Sequence, residues 1–196
     1  MAAGRVCIGY SKPWVAKYTV QSGVVTYSEA MRLARGVGVK LDVQKADGSK
    51  FRADDSDAEQ VPSKFGSGTA TLTNDGLKDA AAKMIYGLPA ADASGWTHYG
   101  DNMETPYVGI GYIKQYMEDG VHSWVPVILT KTMFQMFGDD AKTMEENIDW
   151  QTQELTADLF RDDTDNHEWR WIGEEQTSEA TAESMIKTAF NVTQTT

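Results

Sequence analysis

Residues 106–135 read as one long β-hairpin that turns at Asp119-Gly120. Asp-Gly between two runs of alternating apolar residues is the usual signal of a two-residue type I′ turn. Such a turn pairs Glu118 with Val121 and fixes the register of every pair beyond it. Both faces of this ladder carry apolar or aromatic side chains, although one apolar face is enough to join a core. Something in the assembled protein must therefore cover the second face.

The second face of the predicted hairpin is rich in small residues, which let a helix or another backbone approach closely. Counting from the turn places Pro126 opposite Ile113 in a non-hydrogen-bonded pair, so the position of its missing N–H group points away from the hairpin. We therefore expect an edge or a bulge beside Pro126. The candidate subunit contact at this edge consists of Gly109, Gly111, Trp124 and Pro126.

The rest of the chain is strand-like, apart from two helices. An apolar stripe predicts one flanking helix over about 76–87, and a second stripe predicts a C-terminal helix over about 178–190. Each stripe is narrow, so each helix should lie flat on a sheet. No linker or internal repeat divides the chain. The sequence thus predicts a single domain over 1–196 of the α+β, mainly β class, an antiparallel β-sandwich or partial barrel.

Residues 46–65 form a long, acidic and nearly core-free segment. We expect a projecting loop or open hairpin here, with Phe51, Val61 and Phe65 as its apolar anchors. Its candidate contact residues are Phe51, Asp54, Asp55, Asp57, Glu59 and Phe65.

The segment 147–160 is extended in pattern, and we interpret it as polar on both faces. Its candidate exposed residues are Gln151, Gln153, Glu154 and Asp158.

Composition excludes several functions. The net charge is −11, and no cluster of Lys and Arg is present that could grip nucleic acid. The first ten residues lack the pattern of a signal peptide, and no apolar run approaches the ~18 residues of a membrane span, so we expect no membrane partner. The single cysteine, Cys7, lies among apolar residues and is predicted to be a buried thiol.

Motifs of catalysis are missing from the sequence. We find no nucleotide-binding glycine pattern, no nucleophile elbow and no zinc-binding HExxH. The acidic runs at 54–59 and 162–168 lack the glycine and the terminal glutamate of a calcium loop. We therefore predict no catalytic residue, no cofactor, no metal and no enzymatic activity.

Four stretches in order along the chain carry a resemblance. They are the acidic segment, "FGSGTATLTNDGLKDAAAKMIYG", "PYVGIGYIKQYMEDGVHSW" and "IDWQTQELTADLF". Over roughly residues 24–190 this order resembles the major tail (tail tube) proteins of long-tailed bacteriophages, which are similar in fold to type VI secretion inner-tube proteins. The resemblance implies a structural virion protein, found in the tail after assembly in the host cytoplasm.

The same resemblance implies how the chain assembles and what it meets. Six copies would close into a ring, rings would stack into a tube, and double-stranded DNA would pass transiently through the lumen. Other partners would be the tape measure, the tail terminator and the tail tip or baseplate. The acidic segment would be an inter-ring loop, the polar strand would face the lumen, and both termini would act as arms.

Two other classes of function stay open from the residues. The tryptophans at 96, 124, 150, 169 and 171 could stack on sugars in a monomeric, lectin-like ligand-binding β-sandwich. An enzyme with an unrecognised site is the remaining alternative.

Overall fold

The computed structural model describes residues 4–46, 50–53, 56–60, 64–101, 103–136, 138 and 151–192, with the backbone alone for 50–53 and 56–60. The described strands are β1 Val6–Gln21, β2 Val24–Arg32, β3 Gly36–Lys45, β4 Lys50–Ala53, β5 Ser56–Gln60, β6 Phe65–Asn74, β7 Val108–Glu118, β8 Val121–Phe134, β9 Gln153–Phe160 and β10 Arg170–Ile172. The described helices are α1 Asp79–Tyr86 and α2 Glu179–Ala189, close to the predicted spans. The predicted α+β, mainly β class is confirmed.

One large antiparallel sheet carries the fold. Its strand order is β2-β1-β7-β8-β9-β6-β3, with β10 also paired to β8, while β4 and β5 form a separate two-stranded sheet. The sheet curls so that the start of β3 returns toward β1. Gly36, the first residue of β3, lies directly against the ring of Tyr10 on β1, and the two strands are in contact. The result is a partial barrel with a core inside the curl.

The predicted hairpin forms β7 and β8. Both residues of the Asp119-Gly120 turn adopt positive φ angles, 48° and 81°, as a type I′ turn requires. The predicted register is confirmed from the turn to the pair Ile110–Leu129. Beyond that pair the register shifts, so that Val108 pairs with Thr132, one residue further than counting predicts. A bulge thus changes the ladder near Gly109.

Two apolar clusters hold the sheet and the helices together. The larger one fills the curl and joins one face of the hairpin to α1 and to the inner faces of β6 and β9, with Ile85, Leu72 and Leu155 fully buried. The smaller one lies on the opposite face of the hairpin, beneath α2, around Ile113, Ile186 and Phe190. Each face of β7 and β8 is therefore buried against a different helix.

Candidate assembly surfaces

The second face of the hairpin lies against α2. A Cβ atom built on Gly111 would come within 2.6 Å of Ile186 Cγ2, and one on Gly109 would come within 2.5 Å of Tyr27 Cε1 and 3.1 Å of Phe190 Cε1. These separations are shorter than side-chain carbons tolerate. Gly111 therefore lets α2 of the same chain approach, and Gly109 makes room for the Tyr27 ring of β2 and for Phe190 at the end of α2.

A buried carboxylate fastens α2 to β1 and β2. Glu183 is 9% exposed and accepts hydrogen bonds from Lys12 Nζ at 2.5 Å and from Trp14 Nε1 and Arg32 Nη1 at 3.2 Å, while Lys187 Nζ lies 3.8 Å away. Lys12 reaches the helix because β1 bulges there and Lys12 takes a φ of 50°. The sequence reasoning missed this group, since nothing in an apolar stripe marks an acid beside it as buried.

Of the two alternatives expected beside Pro126, an edge or a bulge, the structure has the bulge, and the subunit contact predicted there lies against the chain itself. The outer side of β8 is occupied by β9 at Lys131–Phe134 and by β10 at Val127–Leu129. Next to them, Gly173 N–H donates to Pro126 O at 2.8 Å, and Trp124 bridges to Gln176. The chain's own C-terminal segment therefore covers the candidate contact. The missing N–H group of Pro126 is accommodated where the pairing changes register by one residue.

The polarity predicted for 147–160 is wrong on one face of β9. Leu155, Ala157 and Leu159 are buried in the core, so β9 is an ordinary half-buried strand. Glu154 and Asp158 project from the opposite face.

The remaining two predicted residues of this segment lie elsewhere. Gln153 belongs to the core side, where its Oε1 accepts the N–H of Leu77 at 3.0 Å. Gln151 is exposed and precedes the strand, and residues 147–150 lie outside the described residues.

The outward side chains of β3, β6 and β9 form one polar surface, called here the polar face. Register places Asp42, Thr69 and Asp158 in one row across the three strands. The helices pack elsewhere, α1 against β1 and β8 and α2 against β7 and β8. The polar face comprises Lys40, Asp42, Thr69, Thr71, Thr73, Glu154, Thr156 and Asp158.

The threonines of the polar face come from a pattern visible in the sequence. "GTATLT" alternates hydroxyl and apolar residues, which is the signature of a strand with one wet face. The formal charge of the polar face is −2, from one lysine and three acids. Within it Lys40 Nζ lies 2.7 Å from Asp42 Oδ2, and Gln135 Nε2 donates to Asp158 Oδ1 at 2.8 Å.

The two ends of the sheet are open within the described part of the chain. There β2 pairs only with β1, and β3 pairs only with β6. Large apolar side chains are exposed along both edge strands, Val24 at 62%, Val37 at 57% and Val43 at 41%. Long apolar edges are templates for pairing with another chain.

The acidic segment emerges from the end of β3 and β6. It contains β4 and β5, whose backbones pair Phe51 with Glu59 and Arg52 with Asp57. Asp54 and Asp55 lie outside the described residues.

Aromatic stacking anchors the root of this segment. Phe65 stacks on Trp169 with ring centroids 4.8 Å apart. The guanidinium of Arg170 also lies over the Trp169 ring, 4.6 Å from its centroid. Arg161 donates from its guanidinium to Phe65 O. The acidic segment therefore joins the sheet at a packed position.

Most described tryptophans are engaged inside the fold. Trp124 is half-buried and stacks with His122, and Trp171 Nε1 donates to Glu168 Oε2 at 2.5 Å. Trp96 is different, because it is 70% exposed on the connection between α1 and β7. Trp150 lies outside the described residues. The four described tryptophans of the predicted set therefore do not form one surface.

The predicted burial of the Cys7 thiol is wrong. Cys7 is exposed at the start of β1, because that end of β1 extends beyond the core. Among the described residues, no group of three His, Cys, Asp or Glu side chains is placed to hold a metal ion. Within the same residues, no helix has the length and apolar character needed to cross a membrane.

Comparison with known proteins identifies no family. A scan against protein-family models found no match, and a search of the curated proteins found none. The features of the described structure that bear on function are the polar face, the open sheet edges and the separate β4–β5 hairpin.

Proposed function

We propose that this chain is a structural subunit that assembles with copies of itself into rings, and that the rings stack into a tube of the phage tail type. The observation that carries the proposal is the polar face, a sheet surface that neither described helix covers and that lies beside an edge left open by the described strands. Such a surface fits the wall of a water-filled channel, and the open edges β2 and β3 provide strands that neighbouring copies can extend. Closing the ring would remove both edges.

The chemistry of the polar face suits a channel for DNA. Threonine hydroxyls dominate its central strand, and its net charge of −2 comes from Lys40 against Asp42, Glu154 and Asp158. Cationic contacts to phosphates would hold the duplex, whereas a weakly negative wall repels it and lets it slide. The proposed role is thus passage of DNA without retention.

The hairpin β4–β5 is the proposed contact between rings. It pairs only within itself among the described strands and leaves the fold at the Phe65–Trp169 stack. The proposed location is the virion tail after assembly in the host cytoplasm. The proposed partners are the tape measure, the tail terminator and the tail tip or baseplate.

Electron microscopy of the purified chain at rising concentration tests the proposal. We expect rings or tubes with a lumen wide enough for a B-form duplex. A chain that sediments as a monomer at high concentration would refute self-assembly, and a lumen too narrow for a duplex would refute the role of the polar face.

A variant pair tests the edge contact. Val37→Lys with Val43→Lys places two charges on the β3 edge and should prevent ring formation while the monomer keeps its circular dichroism spectrum. Ala90→Lys adds a charge to an exposed loop and is the control. Normal rings from the edge variant would show that β3 is not a ring contact.

A further inference from the structure

The connection between α1 and β7 contains a braced turn. Asp92 Oδ1 accepts the N–H groups of Ser94 at 2.8 Å and Trp96 at 3.0 Å, and its Oδ2 lies 2.9 Å from His98 Nε2. The backbone N–H of Asp92 also donates a hydrogen bond to Trp96 O at 2.9 Å, and the N–H of Gly95 donates to Asp92 O at 3.0 Å. A turn closed by this many bonds holds its side chains in place before any ligand arrives.

The braced turn presents aromatic side chains to solvent. Trp96 is 70% exposed and Tyr99 is 58% exposed. Beside them an open pocket of about 350 Å³ is lined by His98, Tyr99 and Met103, together with Pro89, Gly87 and Gly100. Ligand pockets for small molecules begin at about 300 Å³ and combine apolar walls with a few polar groups. The Tyr99 ring and the His98 imidazole thus line a pocket of suitable size, and Trp96 is exposed on the same turn, outside the pocket lining.

The exposed aromatic area is too small for a protein interface. Trp and Tyr side chains bury about 150–250 Å² each when fully covered, so the exposed parts of the pair amount to roughly 300 Å². A specific protein partner needs about 800 Å² on each side. The surface therefore fits one small ligand with a flat apolar face and polar edges.

A sugar ring has this shape. One face of a hexopyranose presents C–H groups, which pack on the electron-rich face of an aromatic ring, and its edge carries hydroxyl groups that hydrogen-bond to imidazole, phenol and carboxylate. The acids on this connection, Asp92, Asp101 and Glu104, disfavour anionic sugars. We propose that Trp96 and Tyr99 on the braced turn form a binding site for neutral sugars.

Saturation-transfer difference NMR on the full chain tests the site, because this method reports on the ligand whether the protein is monomeric or assembled. The probes are the methyl β-glycosides of galactose and N-acetylglucosamine, with N-acetylneuraminic acid as the anionic comparison. We expect transfer to the C–H protons of one sugar face for the neutral probes, with a dissociation constant on the order of 1 mM. No transfer to either neutral probe, or equal transfer to the anionic one, would overturn the proposal.

Variants separate the aromatic surface from the turn that positions it. The double variant Trp96→Ala with Tyr99→Ala should lower affinity at least ~10-fold, since both stacking rings are lost. Asp92→Ala should weaken binding ~3- to 10-fold by loosening the turn, whereas Asp92→Asn keeps a carbonyl acceptor for Ser94 and Trp96 and should bind nearly as well as the parent. Val121→Ala, at an exposed position on the β7–β8 hairpin, is the control. Unchanged transfer in the double variant would place the sugar elsewhere and refute the assignment.

Discussion

Removing the charge of Glu183 should loosen α2 from the sheet. Glu183 is the only acid that is both 9% exposed and in contact with Lys12, Trp14 and Arg32 among the described residues. Breaking a buried ion pair costs about 3–5 kcal/mol, because the partner charge is left without compensation. Here the Lys12 side chain is 26% exposed and that of Arg32 is 38% exposed, so water compensates part of the loss. We expect Glu183→Ala to lower the free energy of unfolding by about 2–3 kcal/mol and Glu183→Gln by about 1–2 kcal/mol.

Urea denaturation followed by circular dichroism measures this loss as a lower midpoint with an unchanged slope. Glu179→Gln is the matched control, because Glu179 is on the same helix and 3.5 Å from Lys12, but its side chain is 37% exposed. An exposed pair contributes less than about 1 kcal/mol. Equal midpoints for Glu183→Gln and Glu179→Gln would refute the idea that burial makes Glu183 important.

The pH dependence gives an independent check with a defined sign. Burial alone would raise the pKa of Glu183, but the hydrogen bond and charge of Lys12, the charge of Lys187 and the Trp14 hydrogen bond outweigh it and lower the pKa. A carboxyl with a lowered folded-state pKa adds stability above its ordinary pKa and loses it as pH falls through the folded value. Parent and Glu183→Gln midpoints should therefore converge as the pH drops below about 4.3. A constant difference from pH 7 to pH 3 would contradict this account.

Three further predictions test other parts of the molecule. Gly111→Ala should destabilise by about 1–3 kcal/mol in urea denaturation, because its Cβ would meet α2, whereas Gly38→Ala has only an ordinary contact at 3.8 Å and should cost less. Glu154→Lys with Asp158→Lys changes the formal charge of the polar face from −2 to +2, and assembled tubes should then retain duplex DNA in a salt-dependent way; tubes that release DNA as the parent does would remove the polar face from the lumen. Deleting 50–60 should leave the circular dichroism spectrum intact but give single rings by electron microscopy, and loss of the folded spectrum would mean that this hairpin is part of the core.

The hairpin could be predicted pair by pair because its information is local. A two-residue turn sets the register, and the period of the strands then assigns each side chain to a face. Gly109 and Gly111 also indicated a close neighbour, which is α2 at Gly111 and the Tyr27 ring of β2 at Gly109. The same counting failed beyond Ile110, since a bulge is decided by what packs around it and has no signal in the turn.

The covered edge at Pro126 could not be predicted from the hairpin itself. The strand that covers it, β10, lies more than forty positions further along the chain. With three residues, β10 is too short to give a periodic signal in the sequence. By contrast, the buried face of β9 has a signal in the sequence. Leu155, Ala157 and Leu159 alternate as a half-buried strand should, but the many polar residues around them hid this period. Short strands and diluted patterns are where tertiary pairing decides the outcome.

The distribution of helices explains why one half of the sheet is the better candidate for assembly. α2 and the C-terminal segment complete the half built from β1, β7 and β8, covering both its second face and the outer edge of β8. Among the described residues, the half built from β3, β6 and β9 receives no such cover, and its outward residues are polar enough to remain in water. One face of this half is buried in the core and the other is solvated, so only its lateral edge is left to pair with another subunit. The exposed apolar edge of β3 is where such a partner would add, so ring closure through that edge would extend the polar face around a lumen without disturbing the core.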